Sequence, residues 1–232
     1  MDDTMIDNVT GRTMKQIRPL VLAILTVLGF VLASAVAAKP VLDRDYKLID
    51  PPQTQPAAVK GVEVLEFFNY ECPHCYEFEP HIKFWLKNKP KNANFRYVHA
   101  VFNDRMIPLA KIFYTVEEMG QLEKLHDKVY DAIHQQHLDL KDRGILLKWV
   151  GDQGVDAKKF EAVFDSFSVN NKVQRAAKMT RDYRISGTPY VAVGGKYLTG
   201  QSNSISASGT VDDNRLVQIL NDLIDMSQSG AR

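Results

Sequence analysis

An α/β fold is what this sequence predicts: one small sheet domain with an all-helical domain inserted in its middle. Three observations carry that expectation. Short β-branched and aromatic runs stand at residues 62–68, 95–102 and 188–199. Between the second and third of these, from 104 to 183, apolar residues recur at helical spacing throughout. A last amphipathic stretch follows the third run, and no internal repeat is found.

The chain of 232 residues is 45% hydrophobic and 25% charged, which suits a globular protein with a substantial core. Its 29 basic and 28 acidic side chains leave a formal charge of +1, so no global field draws nucleic acid or an anionic membrane. At the N-terminus, Lys15 and Arg18 precede an apolar run from Leu20 to Val36 that ends in ASAVAA. Basic flank, apolar centre and small-residue end predict a secretory signal peptide over residues 1–38, cleaved after Ala38, with Ala37 as the alternative. The other reading is an uncleaved anchor, for which the run is short and diluted by Ala33, Ser34 and Ala35. Three aspartates in residues 1–13 are unusual before such a leader, whereas Met14 opens the ordinary start MKQIRPLVLA. The mature chain is therefore expected outside the cytoplasm, where disulfides persist.

A linker-like segment with Asp50, Pro51, Pro52 and Pro56 leads into the strand Val62 to Phe68. Helical spacing begins at Cys72, with Tyr76, Phe78, Ile82, Trp85 and Leu86 apolar, and a second strand is read from Phe95 to Phe102. The helical domain, 104–183, then offers four or five elements. Leu109, Ile112, Phe113 and Val116 mark the first, closed by Gly120; Leu122, Leu125, Val129, Ala132 and Ile133 mark the next. Ile145 to Val150 precedes Gly151 and Gly154. Asp156 reads as the N-cap of a helix burying Phe160, Val163 and Phe164, and Ser168 as the cap of another. Thr188 to Val193, a Gly194-Gly195 turn and Lys196 to Thr199 form a hairpin. The polar stretch GQSNSISASG reads as a connector before, or as the rim of a substrate groove beside the cysteines. A terminal helix with Leu216, Ile219, Leu220, Leu223 and Ile224 on one face closes the chain.

Cys72 and Cys75 are the only cysteines, in the stretch FFNYECPHCYEFEP. Structural zinc takes about four ligands, and His74, His81 and His99 offer no matching half-site. A bridge across two residues closes too short a loop to staple a fold. Redox exchange is the reading left. Pro73 suits the first position of a helix, which puts Cys72 at the N-cap, where free N–H groups and the positive helix end favour thiolate. Cys75, one turn further in, is expected to be shielded by the strand.

The segment VLEFFNYECPHCYEFE resembles the active site of the DsbA family of periplasmic thiol:disulfide oxidoreductases, and Gly187-Thr188-Pro189 resembles the family's second site element. The resemblance spans most of Val41 to Ser227. It implies a thioredoxin-like fold made of residues 39–103 and 184–232, interrupted by the helical insertion, with a cis Pro189 facing the cysteines. It further implies a protein-dithiol oxidase that donates a Cys72–Cys75 disulfide through a mixed disulfide, Cys72 exchanging and Cys75 the buried partner. Pro73-His74 is the oxidase type of intervening dipeptide. DsbA is itself the reference case for such a cysteine, near pKa ~3.5 against ~7 in thioredoxin. Thr188 stands where the best-known members carry Val, which leaves the potential open.

On the same implication, clients are unfolded or partly folded cysteine-containing secreted proteins, and reoxidation falls to a quinone-linked membrane partner of the DsbB type. No cofactor, metal or nucleic acid is implied, and the chain is expected to act as a monomer. Period-2 alternation puts Glu66 on a face with Val62, Val64 and Phe68, where a buried acid can relay protons for Cys75. His74 is expected to support the Cys72 thiolate through its N–H and, if protonated, its ring. Thr188 and Pro189 are expected to meet an extended peptide. Glu77 and Glu79 read as a solvated helix face, and His81, His99, His126, His134 and His137 receive no role. The competing functions are disulfide isomerase or reductase, and a thiol chaperone dedicated to a single client.

Overall fold

The computed structural model describes residues 39–206 and 208–229, so the expected leader and the alternative start at Met14 lie outside the described residues. Strands β1 (Lys47–Leu48), β2 (Val62–Phe68), β3 (Ala93–His99), β4 (Tyr190–Val193) and β5 (Tyr197–Thr199) form one mixed sheet in the order β1-β5-β4-β2-β3. β2 runs parallel to β3 and antiparallel to β4, with Glu66 opposite Tyr97 on one side and Val191 on the other. Every residue of β2 is buried, which explains why it reads as a nearly unbroken apolar run rather than an alternating one.

Its two faces meet different partners. Val62 and Val64 join Phe78, Ile82 and Trp85 of α1 (Pro73–Asn88) and Leu216, Ile219 and Leu223 of α7 (Asp213–Ser229). Leu65 and Phe67 join a second cluster built on the helical block. That block contains α2 (Ile107–Glu118), α3 (Leu122–His134), α4 (Arg143–Asp152), α5 (Ala157–Phe164) and α6 (Phe167–Asp182). Its core residues include Leu109, Ile112, Phe113, Trp149 and Val173. Phe68, at the end of β2, lies within ring contact of Phe113, His126 and Tyr130. Strand end and helical block thus share one apolar core, in which each large side chain contributes about 1.5–3 kcal/mol by burial.

Several expected boundaries move. The second strand ends at His99 rather than Phe102, because after Ala100 donates to Phe68 O the chain leaves the sheet and Val101 N–H turns to Thr180 Oγ1. Apolar character alone carried the run too far. Ser166, not Ser168, caps α6: its Oγ accepts from Val169 N–H at 3.2 Å, while Ser168 reaches across to Glu118. Gly151 lies inside α4 instead of after it. Asp156 caps α5 as expected, accepting from Lys158 and Lys159 N–H. The segment read as a linker is bound to the hairpin, with Ile49 and Gln53 N–H donating to Lys196 and Gly195 carbonyls. At the hairpin turn Gly194 and Gly195 both have positive φ, and a Cβ on either would run into Ser227 or the Gln53 backbone.

Candidate active site

The chain leaves β2 at Phe68 and turns through Asn69, whose backbone carbonyl receives Cys72 N–H and whose Oδ1 receives Glu71 N–H. Cys72 is extended, with φ −81° and ψ 114°, and Pro73 opens α1, so the cysteine occupies the N-cap as expected. Its carbonyl starts the helix by accepting from Cys75 and Tyr76. Both cysteines are thiols in this structure. Cys72 is half-buried and Cys75 wholly buried.

That difference separates their acidities. Cys72 is drawn down to about 5, chiefly because the Cys75 thiol hydrogen-bonds its sulfur. Burial opposes the shift, and the Thr188 side chain with the Cys75 and His74 N–H groups adds to it. In the dithiol the sulfur closes no capping hydrogen bond of its own; the helix start favours the thiolate once it forms. Cys75 moves the opposite way, raised far above the ordinary thiol range by burial first, then by its bond to Cys72 and that sulfur's charge. One sulfur is thus ready to exchange while the other keeps its proton.

Across from the pair, the Thr188–Pro189 bond is cis and the Thr188 carbonyl lies 3.4 Å from Cys72 Sγ, accepting from its S–H. His74 contributes its backbone only. Its exposed ring sits 3.2 Å from Glu77 Oε2 rather than on the sulfur, which corrects the expectation for the ring. A groove of about 450 Å³ beside the cysteines is lined by His74, Glu77, Thr188, Pro189, Gln201 and Ile205, among others. Gln201, Ser202, Ile205 and Gly209 of the polar loop after β5 line this groove.

Glu66 is buried, as the alternation predicts, and neither carboxylate oxygen has a hydrogen-bond partner. Burial, then the charge of Glu79, holds its carboxyl well above the usual range. Glu79 departs from expectation. It is only 4% exposed, because one helical turn from Cys75 lies on the same inward face as Phe78 and Ile82. It accepts from Tyr97 Oη at 2.9 Å. His99 and His126, left without a role, are also buried here; burial pushes His99 down to about 3. His126 Nδ1 is 2.8 Å from Tyr70 Oη, and His134 Nε2 donates to the Tyr70 carbonyl. The available signal was the position of His126 between Leu125 and Val129 on the inward face of α3.

Comparison with known proteins agrees with this geometry. A model of the DSBA-like thioredoxin domain matches residues 103–207, downstream of both cysteines. The thiol:disulfide interchange protein DsbA of Burkholderia cepacia is 42% identical over 179 residues, 77% of this chain and 84% of the relative. That of Pseudomonas syringae pv. tomato is 33% identical over 200 residues, 86% of this chain and 90% of its own. Among solved structures, DsbA of Pseudomonas aeruginosa superposes with a TM-score of 0.72 at 29% identity, covering 81% of this chain and 94% of its own. The oxidoreductase DsbA of Xylella fastidiosa gives 0.71 at 26% identity, covering 83% of this chain and 100% of its own.

Proposed function

Because this chain belongs to the DsbA family of thiol:disulfide interchange proteins, we propose that its oxidised Cys72–Cys75 pair is the disulfide it donates to dithiols of secreted proteins. The observation that carries the assignment is the asymmetry of the two sulfurs, one accessible and favoured as thiolate, the other buried and protonated. A substrate thiolate attacks Cys72, the Cys72–Cys75 bond breaks, and Cys75 leaves. A second substrate thiol then attacks the mixed disulfide, forming the substrate disulfide and releasing Cys72 as a stabilised thiolate. Stabilising that thiolate stabilises the reduced protein and so makes the disulfide a strong oxidant.

Thr188 and Pro189 form the floor against which an extended client segment lies, with the groove from His74 to Ile205 receiving its side chains. Glu66 supplies and retrieves the proton of Cys75. In this reading residues 39–103 and 184–232 form the redox domain, residues 104–183 the insertion, and residues 1–38 a leader removed on export to the periplasm. A DsbB-type membrane protein returns the pair to the disulfide.

Trapping with Cys75→Ala in the periplasm tests the reading, since the mixed disulfide on Cys72 then persists. Many captured clients are expected; a single one would assign a dedicated thiol chaperone instead. Equilibration with glutathione adds the direction: a potential near that of thioredoxin, about −270 mV, would contradict an oxidase.

A further inference from the structure

The groove beside the cysteines is walled by parts of three segments, 72–82, 185–193 and 200–213. None of the three contains a Lys or Arg, in a chain that has 29 of them. Their carboxylates are Glu77, Glu79, Asp212 and Asp213. Three of these are engaged elsewhere. Glu79 is buried and accepts from Tyr97, Asp212 accepts from Asn214 and Arg215 N–H at the start of α7, and Asp213 lies 2.7 Å from His81 Nδ1.

Glu77 is the carboxylate that lines the groove. Its side chain is 61% exposed, and among the described residues its only partner is the exposed His74 ring, 3.2 Å away. The other groove residues do not sort clients by charge. Thr188, Pro189 and Tyr190 offer backbone and apolar surface that any extended peptide can use, and Ile205 is a half-exposed apolar side chain at the rim. A carboxylate with no Lys or Arg facing it favours a positive neighbour and repels a negative one.

We infer that Glu77 selects among clients, favouring those with a Lys or Arg close to the reacting cysteine. This rests on the reading of the groove as the client site. Glu77 follows Cys72 by five residues, about 7.5 Å along the helix at about 1.5 Å per residue. An extended client advances about 3.3 Å per residue, which places the favoured cation about two residues from the client cysteine. Such a side chain acts in two ways. It pairs with Glu77, and it lowers the pKa of the client thiol, so that more thiolate reaches Cys72. A client carboxylate at that place instead meets Glu77 as a like charge, while the attacking sulfur is itself negative. The chemistry is the same for every client: its thiolate bonds to Cys72, the Cys72–Cys75 bond breaks, and the electron pair stays on Cys75.

The test uses three peptides with two cysteines each, alike except that both residues two places from the first cysteine are Lys, Gln or Glu. They are offered as dithiols to the oxidised protein, and oxidation is followed by acid quench and mass spectrometry. Wild type is expected to oxidise the Lys peptide about twofold to fivefold faster than the Gln peptide, and the Glu peptide slower by a similar factor. Part of that spread belongs to the peptides' own thiols and is common to every variant, so the change in the Lys-to-Glu ratio on substitution decides. Glu77→Gln should lower the ratio about threefold or more, and Glu77→Lys should lower it further. Because Glu77 is exposed, neither substitution disturbs packing. The excess of the wild-type ratio over that of Glu77→Gln should vanish at about 1 M salt, where charges are screened beyond about 3 Å. An excess that survives such salt overturns selection by charge. Ratios unchanged in both variants, with all three peptides oxidised, overturn the role of Glu77 and leave the oxidase reading standing. Failure of wild type to oxidise any of the peptides overturns that reading, and the selection with it.

Discussion

A cysteine at a helix N-cap does not owe its acidity to the helix alone. For Cys72 the strongest contribution is the thiol of Cys75, and the N–H groups of the first turn come after burial and Thr188. Besides the docking role proposed for it, Thr188 thus bears on the acidity of Cys72. Thr188→Val, which keeps the shape and removes the hydroxyl, is expected to raise the Cys72 midpoint above about 5 and to make the protein less oxidising; ultraviolet thiolate absorbance reads the first effect and glutathione equilibration the second. Stability follows by linkage. The folded midpoint lies below the ordinary value of 9.0, so the thiolate's contribution to the dithiol form is full above that value, shrinks as pH falls and is lost below about 5. Cys75 has the opposite sign and weighs only above its ordinary value. The melting temperature of the dithiol form relative to the disulfide form should therefore rise between about pH 5 and pH 9; a constant difference across that range would count against the assignment.

Elements carry the site by where they end. β2 stops at Phe68, α1 starts at Pro73, and β4 starts at Tyr190 just after Thr188-Pro189, so three element boundaries meet at one sulfur. Caps set such boundaries, and one can be tested away from the chemistry. Ser166→Ala should cost about 1 kcal/mol in urea unfolding, whereas Ser168→Ala, outside the cap, should cost a few tenths. The strand β2, the N-cap position of Cys72 and the Asp156 cap were legible in the sequence because each rests on local chemistry: β-branched residues, a proline at the first helical position, an aspartate before an apolar face. The burial of Glu79 and His126 was not, because a charge on a helix says nothing of which neighbour will cover it. β1, two residues long, leaves no periodic trace at all.

On the scale of the whole molecule, sheet and helical block are bound by a common core. Leu65, Phe67 and Phe68 of β2 cluster with Phe113 of α2, Tyr130 of α3 and Val173 of α6. Phe113→Ala is accordingly expected to destabilise the protein by about 3–5 kcal/mol, measured by urea unfolding. It should lower the loss of fluorescence from Trp85, beneath the sheet, and from Trp149, in the helical block, to the same new urea midpoint. Separate midpoints would mean that the two parts unfold independently. The same integration produces the asymmetry of the cysteines: the shared core buries Cys75, the segment before β4 brings Thr188 to Cys72, and neither acidity exists without both. The direct test is the ultraviolet absorbance of the dithiol protein titrated with alkali. One thiolate should appear with a midpoint of about 5 and no second until strongly alkaline pH. A first midpoint near 9, or two sulfurs ionising together, would contradict the account.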